Sequence, residues 1–220
     1  MPTIAENIAQ IEKGLKQETC LVAVTKTKPE EVLLKAYNAG CKRFGENKVQ
    51  EMTSKYEALP KDIEWHMIGH LQTNKVKYMA PYVALVHSVD SFKLLKEIDK
   101  EAKKNNRVID CLLQIFIARE ETKFGLSEEE AVEILTSAAL PELQNIRIAG
   151  LMGMASNTDD EQAVRAEFRG LKALFESFKQ YQNEQVNMRE LSMGMSADYA
   201  IAMEEGSTLV RVGSAIFGSR

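Results

Sequence analysis

The chain has 220 residues, 45% hydrophobic and 27% charged, enough to bury one large core or two small ones. A net charge of −4 and a pI of about 5.6 offer no basic field to nucleic acid or to an anionic membrane. No apolar run reaches the roughly 18 residues of a membrane span, and the amphipathic, mixed-charge opening Met1–Gln17 is not a signal peptide.

The three cysteines (Cys20, Cys41, Cys111) are far apart and match neither a zinc spacing nor a disulfide framework, so a reducing cytoplasm is the expected compartment. His66, His70 and His87 lack a ligand pattern, and no metal site is expected.

Ile4, Ile8, Ile11 and Leu15 recur at helical spacing and predict an opening helix. Leu21–Val24 is an apolar run that reads as a buried strand, and Pro29 to Ala39 reads as a helix stopped by Gly40. Lys26 therefore falls at the C-terminal tip of strand one, on the same face as Val22 and Val24. A short strand, Lys42 to Glu46, precedes a helix with Val49, Met52, Tyr56 and Leu59 on its inner stripe. Glu64–Gly69 reads as strand three, Asn74–Met79 as a short helix, and Val83–Val89 as strand four. Ser91–Lys104 is a helix whose lysine-rich end suits the negative pole of its dipole.

Asp110–Ala118 is nearly all apolar, as a strand covered on both faces should be. Ser127 with Glu130, and Thr158 with Glu161, read as capping boxes opening two further helices. Between them lies strand six, Arg147–Ala155. The helix after Thr158 spaces Val164, Phe168, Leu171, Phe175 and Phe178 as a core-facing stripe. Glu190–Met195 reads as strand seven, Ala197–Glu205 as a helix stopped by Gly206, and Leu209–Phe217 as strand eight.

Strands alternating with helices through short loops argue for a parallel α/β sheet. Eight such units favour a single (β/α)8 TIM barrel with an extra N-terminal helix, one domain over residues 1–220. No GxGxxG fingerprint supports a Rossmann sheet.

Barrels of this kind carry function at the C-terminal tips of their strands. Those tips present Lys26 and Lys28, Glu46 and Asn47, His66 and Gly69, Met152 and Met154, then Ser192, Gly194 and Ser196, and finally Arg211, Gly213 and Ser214. The loops after strands seven and eight commonly hold a phosphate. Gly194, Ser196, Gly213 and Ser214 there form a phosphate cup, with small residues exposing N–H groups and hydroxyls adding donors. Ordinary turn chemistry is the competing reading. Arg211 aligns with Leu209 and Gly213, so it faces the barrel mouth. It meets a ligand there or an internal carboxylate such as Glu46. A lysine facing a phosphate cup suggests a Schiff base with a phosphorylated carbonyl compound, either pyridoxal 5′-phosphate or the sugar phosphate of an aldolase. Arginine in place of a carboxylate at the pyridine nitrogen would make the cofactor a weak electron sink.

Seven stretches carry a resemblance: AVTKTKP (23–29), FGEN (44–47), WHMIGHLQTNK (65–75), TKFGL (122–126), GLMGM (150–154), LSMGMSADY (191–199) and GSTLVRVGSAIFG (206–218). In order and spacing, the chain resembles the pyridoxal phosphate homeostasis proteins, small barrels similar to the N-terminal domain of alanine racemase. The resemblance implies pyridoxal 5′-phosphate held as a Schiff base on Lys26. It implies a phosphate site around Ser192, Ser196, Gly213 and Ser214, and Arg211 near the pyridine nitrogen. Asn47 and Met152 would line the ring pocket, with His66 near it. It further implies a non-catalytic cytoplasmic monomer that buffers, protects or delivers the cofactor to apo-enzymes. The alternative is a racemase or decarboxylase of the same fold. The family usually has Asn where this chain has Phe116, and the short C-terminal end would loosen the mouth. Lys28 either tunes Lys26 as a neighbouring cation or serves as a second aldehyde acceptor, and Lys75 and Lys123 receive no role.

Overall fold

A computed structural model describes residues 2–119 and 124–218. Residues 120–123, which include Thr122 and Lys123 of the TKFGL stretch, and Ser219–Arg220 lie outside the described residues. The strands are β1 (Cys20–Val24), β2 (Arg43–Glu46), β3 (Glu64–Met67), β4 (Val83–Val89), β5 (Ile109–Ile115), β6 (Ile146–Gly153), β7 (Val186–Ser192) and β8 (Leu209–Val212). Each pairs in parallel with the next, and β8 pairs with β1 to close the barrel, with Val22 opposite Arg211. The helices are α1 (Ile4–Gly14), α2 (Glu30–Asn38), α3 (Val49–Ala58), α4 (Val76–Met79), α5 (Phe92–Lys104), α6 (Glu128–Leu135), α7 (Glu161–Phe178), α8 (Tyr199–Glu204) and α9 (Ser214–Phe217).

Side-chain alternation divides the core in two. Leu21 and Ala23 of β1 join the large cluster between strands and helices, and Val22 joins a separate cluster inside the barrel. The α7 stripe is buried as its spacing predicts. Phe168 and Phe178 are fully covered, each worth roughly 1.5–3 kcal/mol over an exposed ring. The interior cluster is Val22, Leu85, Leu112, Ala149, Met152 and Leu209. Two residues further along their strands, toward the C-terminal end, His87 and Arg211 begin a buried polar floor. Among the described residues no helix is long and apolar enough to cross a membrane.

Several sequence expectations need correction. β5 stops at Ile115 rather than Ala118, because the Phe116 N–H turns to the Leu126 carbonyl. β7 spans Val186–Ser192 rather than Glu190–Met195: Val186 and Met188 alternate with exposed Asn187 and Arg189, and Gly194 at φ +94° turns the chain away. β8 ends at Val212, and Ser214–Phe217 forms a helical turn after Gly213. A short apolar run fits either element, so periodicity could not separate them. α7 is capped by Asp160, whose side chain accepts from the Gln162 and Ala163 N–H groups, instead of by a Thr158–Glu161 box. The Ser127–Glu130 box is present, as is an unanticipated Thr3–Glu6 box on α1.

Candidate functional site

The chain leaves β1 in a tight turn, in which the Lys28 N–H donates to the Thr25 carbonyl at 3.1 Å. Lys26 occupies the second position of this turn. Thr27 occupies the third, at φ +64°, a conformation uncommon for any residue but glycine and costly for a β-branched one. Lys26 and Lys28 line a cavity of about 330 Å³ with Ser196, Arg211, Gly213 and Ser214. Among the described residues that lining contains no carboxylate, so positive charge and hydroxyl donors dominate it. Lys28 also ties the turn to α9: its Nζ donates to the Phe217 carbonyl at 3.3 Å.

The far rim comes from the ends of β7 and β8. The Gly213 N–H donates to Ser196 Oγ at 3.1 Å, and the Ala215 N–H approaches the same oxygen at 3.5 Å. Two backbone donors thus converge where one oxygen sits, the arrangement an anion's oxygen would use. Gly213 keeps this rim close to β1, where a Cβ would crowd Val24 Cβ at 3.3 Å. Gly194 shapes the preceding loop. At φ +94°, a Cβ there would lie 2.5 Å from Ala202 Cβ. The loop is then closed by Asp198, whose Oδ1 accepts from the Met195 N–H at 2.6 Å.

Beneath the cavity, Arg211 is 4% exposed and makes no salt bridge among the described residues, Asp198 acting on it only through space. Glu46, the sequence-level alternative, faces the other side of the barrel wall and pairs with Lys55. Arg211 Nη1 instead donates to the Ser192 carbonyl at 2.9 Å and to Ser192 Oγ at 2.5 Å, and Nη2 donates to the Gly153 carbonyl at 3.1 Å. Burial lowers its pKa to about 10, so it stays charged at neutral pH.

Ser192 Oγ also lies 2.9 Å from His87 Nδ1, and His87 Nε2 lies 2.9 Å from His66 Nδ1. All four residues are buried. Burial, with help from Arg43, pushes His66 down to about 3. Burial first, then His66 and Arg211, holds His87 well below the ordinary histidine range. Both rings are therefore neutral. Arginine only donates, so the Ser192 hydroxyl proton is free for His87 Nδ1. Neutral His87 then carries its proton on Nε2 and donates to His66 Nδ1. This direction uses each proton between Ser192 and His66 and leaves His66 with its own on Nε2.

The structure thus brings Lys26, Ser196, Arg211, Gly213 and Ser214 to one cavity, with Gly194 shaping its wall. It sets the remaining sequence candidates elsewhere. Met152 is fully buried in the interior cluster, and His66 and Ser192 lie in the hydrogen-bonded chain under Arg211. Asn47 is half-buried at the end of β2, with its buried Oδ1 lacking a partner. His87 was missed. Its signal was a histidine set two residues after Leu85 inside an apolar strand. Among the described residues no group of three or more His, Cys, Asp or Glu side chains could hold a metal ion.

Comparison with known proteins gives this site its context. The family model for the alanine racemase N-terminal domain matches residues 1–220. The pyridoxal phosphate homeostasis protein of Aquifex aeolicus is 44% identical over 212 residues, covering 95% of this chain and 91% of that protein. PipY of Synechococcus elongatus PCC7942, solved with PLP bound, superposes with a TM-score of 0.86 at 34% identity, covering 98% of this chain and 100% of its own. Alanine racemase from Bartonella henselae shares the fold at a TM-score of 0.73 and 16% identity, covering 98% of this chain and 58% of that enzyme. The chain therefore belongs to the alanine racemase N-terminal domain family and, within it, to the pyridoxal phosphate homeostasis proteins.

Proposed function

We propose that this protein binds pyridoxal 5′-phosphate at the barrel mouth and serves cofactor homeostasis in the cytoplasm as a monomer, by buffering, protecting or delivering it to apo-enzymes. The observation that carries the reading is a single cavity shared by Lys26, Ser196, Arg211, Gly213 and Ser214, with the Gly213 and Ala215 N–H groups converging on Ser196 Oγ at its rim and no carboxylate in its lining among the described residues. A primary amine meets an aldehyde there, and the donors and cations suit a phosphate. The volume, about 330 Å³, falls within the roughly 300–1,000 Å³ range of small-ligand sites. The Lys26 amine joins the aldehyde carbon as a Schiff base, and the aldehyde oxygen leaves as water.

When bound, the cofactor supplies an electrophilic aldehyde carbon and an electron-accepting ring. Three of the five Arg211 N–H donors are taken by Ser192 and Gly153, which leaves two for the ring nitrogen. A donor at that nitrogen keeps it unprotonated and weakens the ring as an electron sink. Among the described residues the cavity lining holds no tyrosine, histidine, cysteine or carboxylate, and its second amine, Lys28, is tied to the Phe217 carbonyl, which favours storage over racemisation.

Titration of the apo-protein with the cofactor tests the reading. Wild type should turn yellow, and Lys26→Ala should remain colourless. Incubation of the loaded protein with L-alanine, L-serine and diamino acids, followed by chiral analysis, should show no substantial turnover. Substantial turnover would move the assignment to a racemase or decarboxylase.

A further inference from the structure

We propose that Glu51 and Lys55 of α3, with Glu46 of β2, are positioning residues that fix the direction of the Lys26 side chain. The inference rests on the proposed amine chemistry of Lys26, and it concerns groups that never enter the cavity. The backbone angles of a residue are set by the two peptide planes that flank its Cα. Both planes flanking Lys26 are bonded to this cluster. On one side, the Thr25 carbonyl accepts from Lys55 Nζ at 2.8 Å. On the other, the Thr27 N–H donates to Glu51 Oε1 at 2.6 Å. The Thr25 hydroxyl adds a third tie, donating to Glu46 Oε1 at 2.6 Å.

The three charged groups also hold one another. Lys55 Nζ lies 2.6 Å from Glu46 Oε1 and 2.7 Å from Glu51 Oε1. With the Thr25 carbonyl, these use all three donors of the ammonium. Glu46 is fully buried and Lys55 is 5% exposed. For Glu51, partial burial raises the carboxyl pKa, but bonds from Lys55 and the Thr27 N–H outweigh it, so the carboxylate form is favoured.

Such a cluster is costly if packing is its only purpose. Burying an ion pair roughly breaks even against apolar residues of the same size. Here it is not fully repaid, because Glu46 Oε2 is buried without a partner. The same cluster holds Thr27 in its strained left-handed conformation, a state that persists only where its surroundings over-determine it. Cost and strain both converge on the two neighbours of one lysine. A fixed lysine Cα–Cβ direction pre-aims a long, flexible side chain and removes part of its search.

The test measures borohydride trapping of pyridoxal 5′-phosphate on Lys26, beside the affinity for pyridoxine 5′-phosphate, which lacks the aldehyde. Glu51→Ala removes the acceptor for the Thr27 N–H and should slow trapping by about 10-fold or more, with pyridoxine 5′-phosphate affinity within about 2-fold of wild type. Glu51→Asp keeps the charge but withdraws the carboxylate by one methylene, so it should also slow trapping. Glu51→Gln keeps an acceptor oxygen and should restore most of the rate. That order separates aiming of the backbone from the charge of the carboxylate, which would favour Asp over Gln. Trapping in Glu51→Asp at the wild-type rate, or an equal loss in Gln and Asp, would overturn the proposal, whether or not Glu51→Ala folds. Absence of trapping in wild type would instead defeat the proposed function itself.

Discussion

Arg211 Nη1 sits 2.5 Å from Ser192 Oγ, so a buried guanidinium is held by a hydroxyl and backbone carbonyls in place of a carboxylate. Ser192 is the hinge of this arrangement, accepting from Arg211 and donating to His87. Ser192→Ala removes a buried acceptor from a charged donor and should cost about 1–3 kcal/mol of stability. Denaturant unfolding with an unchanged slope and a lower midpoint is the expected result.

Arg211→Met should weaken the fold, by leaving the Ser192 and Gly153 carbonyls unpaired, and the ligand's binding as well. Loss of charge-assisted donors, worth roughly 1.5–3 kcal/mol, corresponds to about 10- to 100-fold weaker cofactor binding. Binding titration followed by absorbance should show this loss together with a shifted maximum. Lys26 should still be trapped by borohydride at saturating cofactor.

Protonation of the two buried histidines sets the acid limit of the fold. His66 is pushed down to about 3 in the folded protein, against roughly 6.5 in an unfolded chain. Between those values the unfolded chain binds more protons than the folded one, so stability rises with pH. The contribution is fully present above about 6.5 and is lost as pH falls toward 3. His87 is shifted in the same direction. Thermal unfolding from pH 8 down to pH 4 should show a falling midpoint, and His66→Gln should reduce that slope.

Gly194 should tolerate no side chain. Its φ of +94° and the 2.5 Å approach of a Cβ to Ala202 combine a conformational and a steric cost. Gly194→Ala should lose about 2 kcal/mol or more, and with it the loop that presents Ser196. Calorimetry and the affinity for pyridoxine 5′-phosphate should fall together.

Much of the barrel was legible because its elements are cleanly bounded. β4 follows the Val83–Val89 run residue for residue, between Pro81 and Asp90. Lys26, Arg211 and Gly213 could be assigned to one mouth because strand order and a period of two suffice once the barrel closes. The hydrogen-bonded floor was not legible. His66 and His87 lie on the neighbouring strands β3 and β4, but Ser192 comes from β7, 105 residues after His87, and only the barrel's interior joins it to them. Glu46 misled for a related reason. It ends a strand, but its side chain points outward beside Thr25, whereas a Cβ on its neighbour Gly45 would meet Val22 of the interior cluster. The end of β8 was overrun because Ala215–Phe217 is apolar in either a strand or a helical turn.

The most direct test of the account is peptide mapping after borohydride reduction of the cofactor-loaded protein. The account predicts one pyridoxyl-phosphate adduct per chain, on the peptide carrying Lys26, while Lys28 stays unmodified at its tie to Phe217. An adduct distributed over surface lysines, or one that persists at full yield in Lys26→Ala, would contradict it.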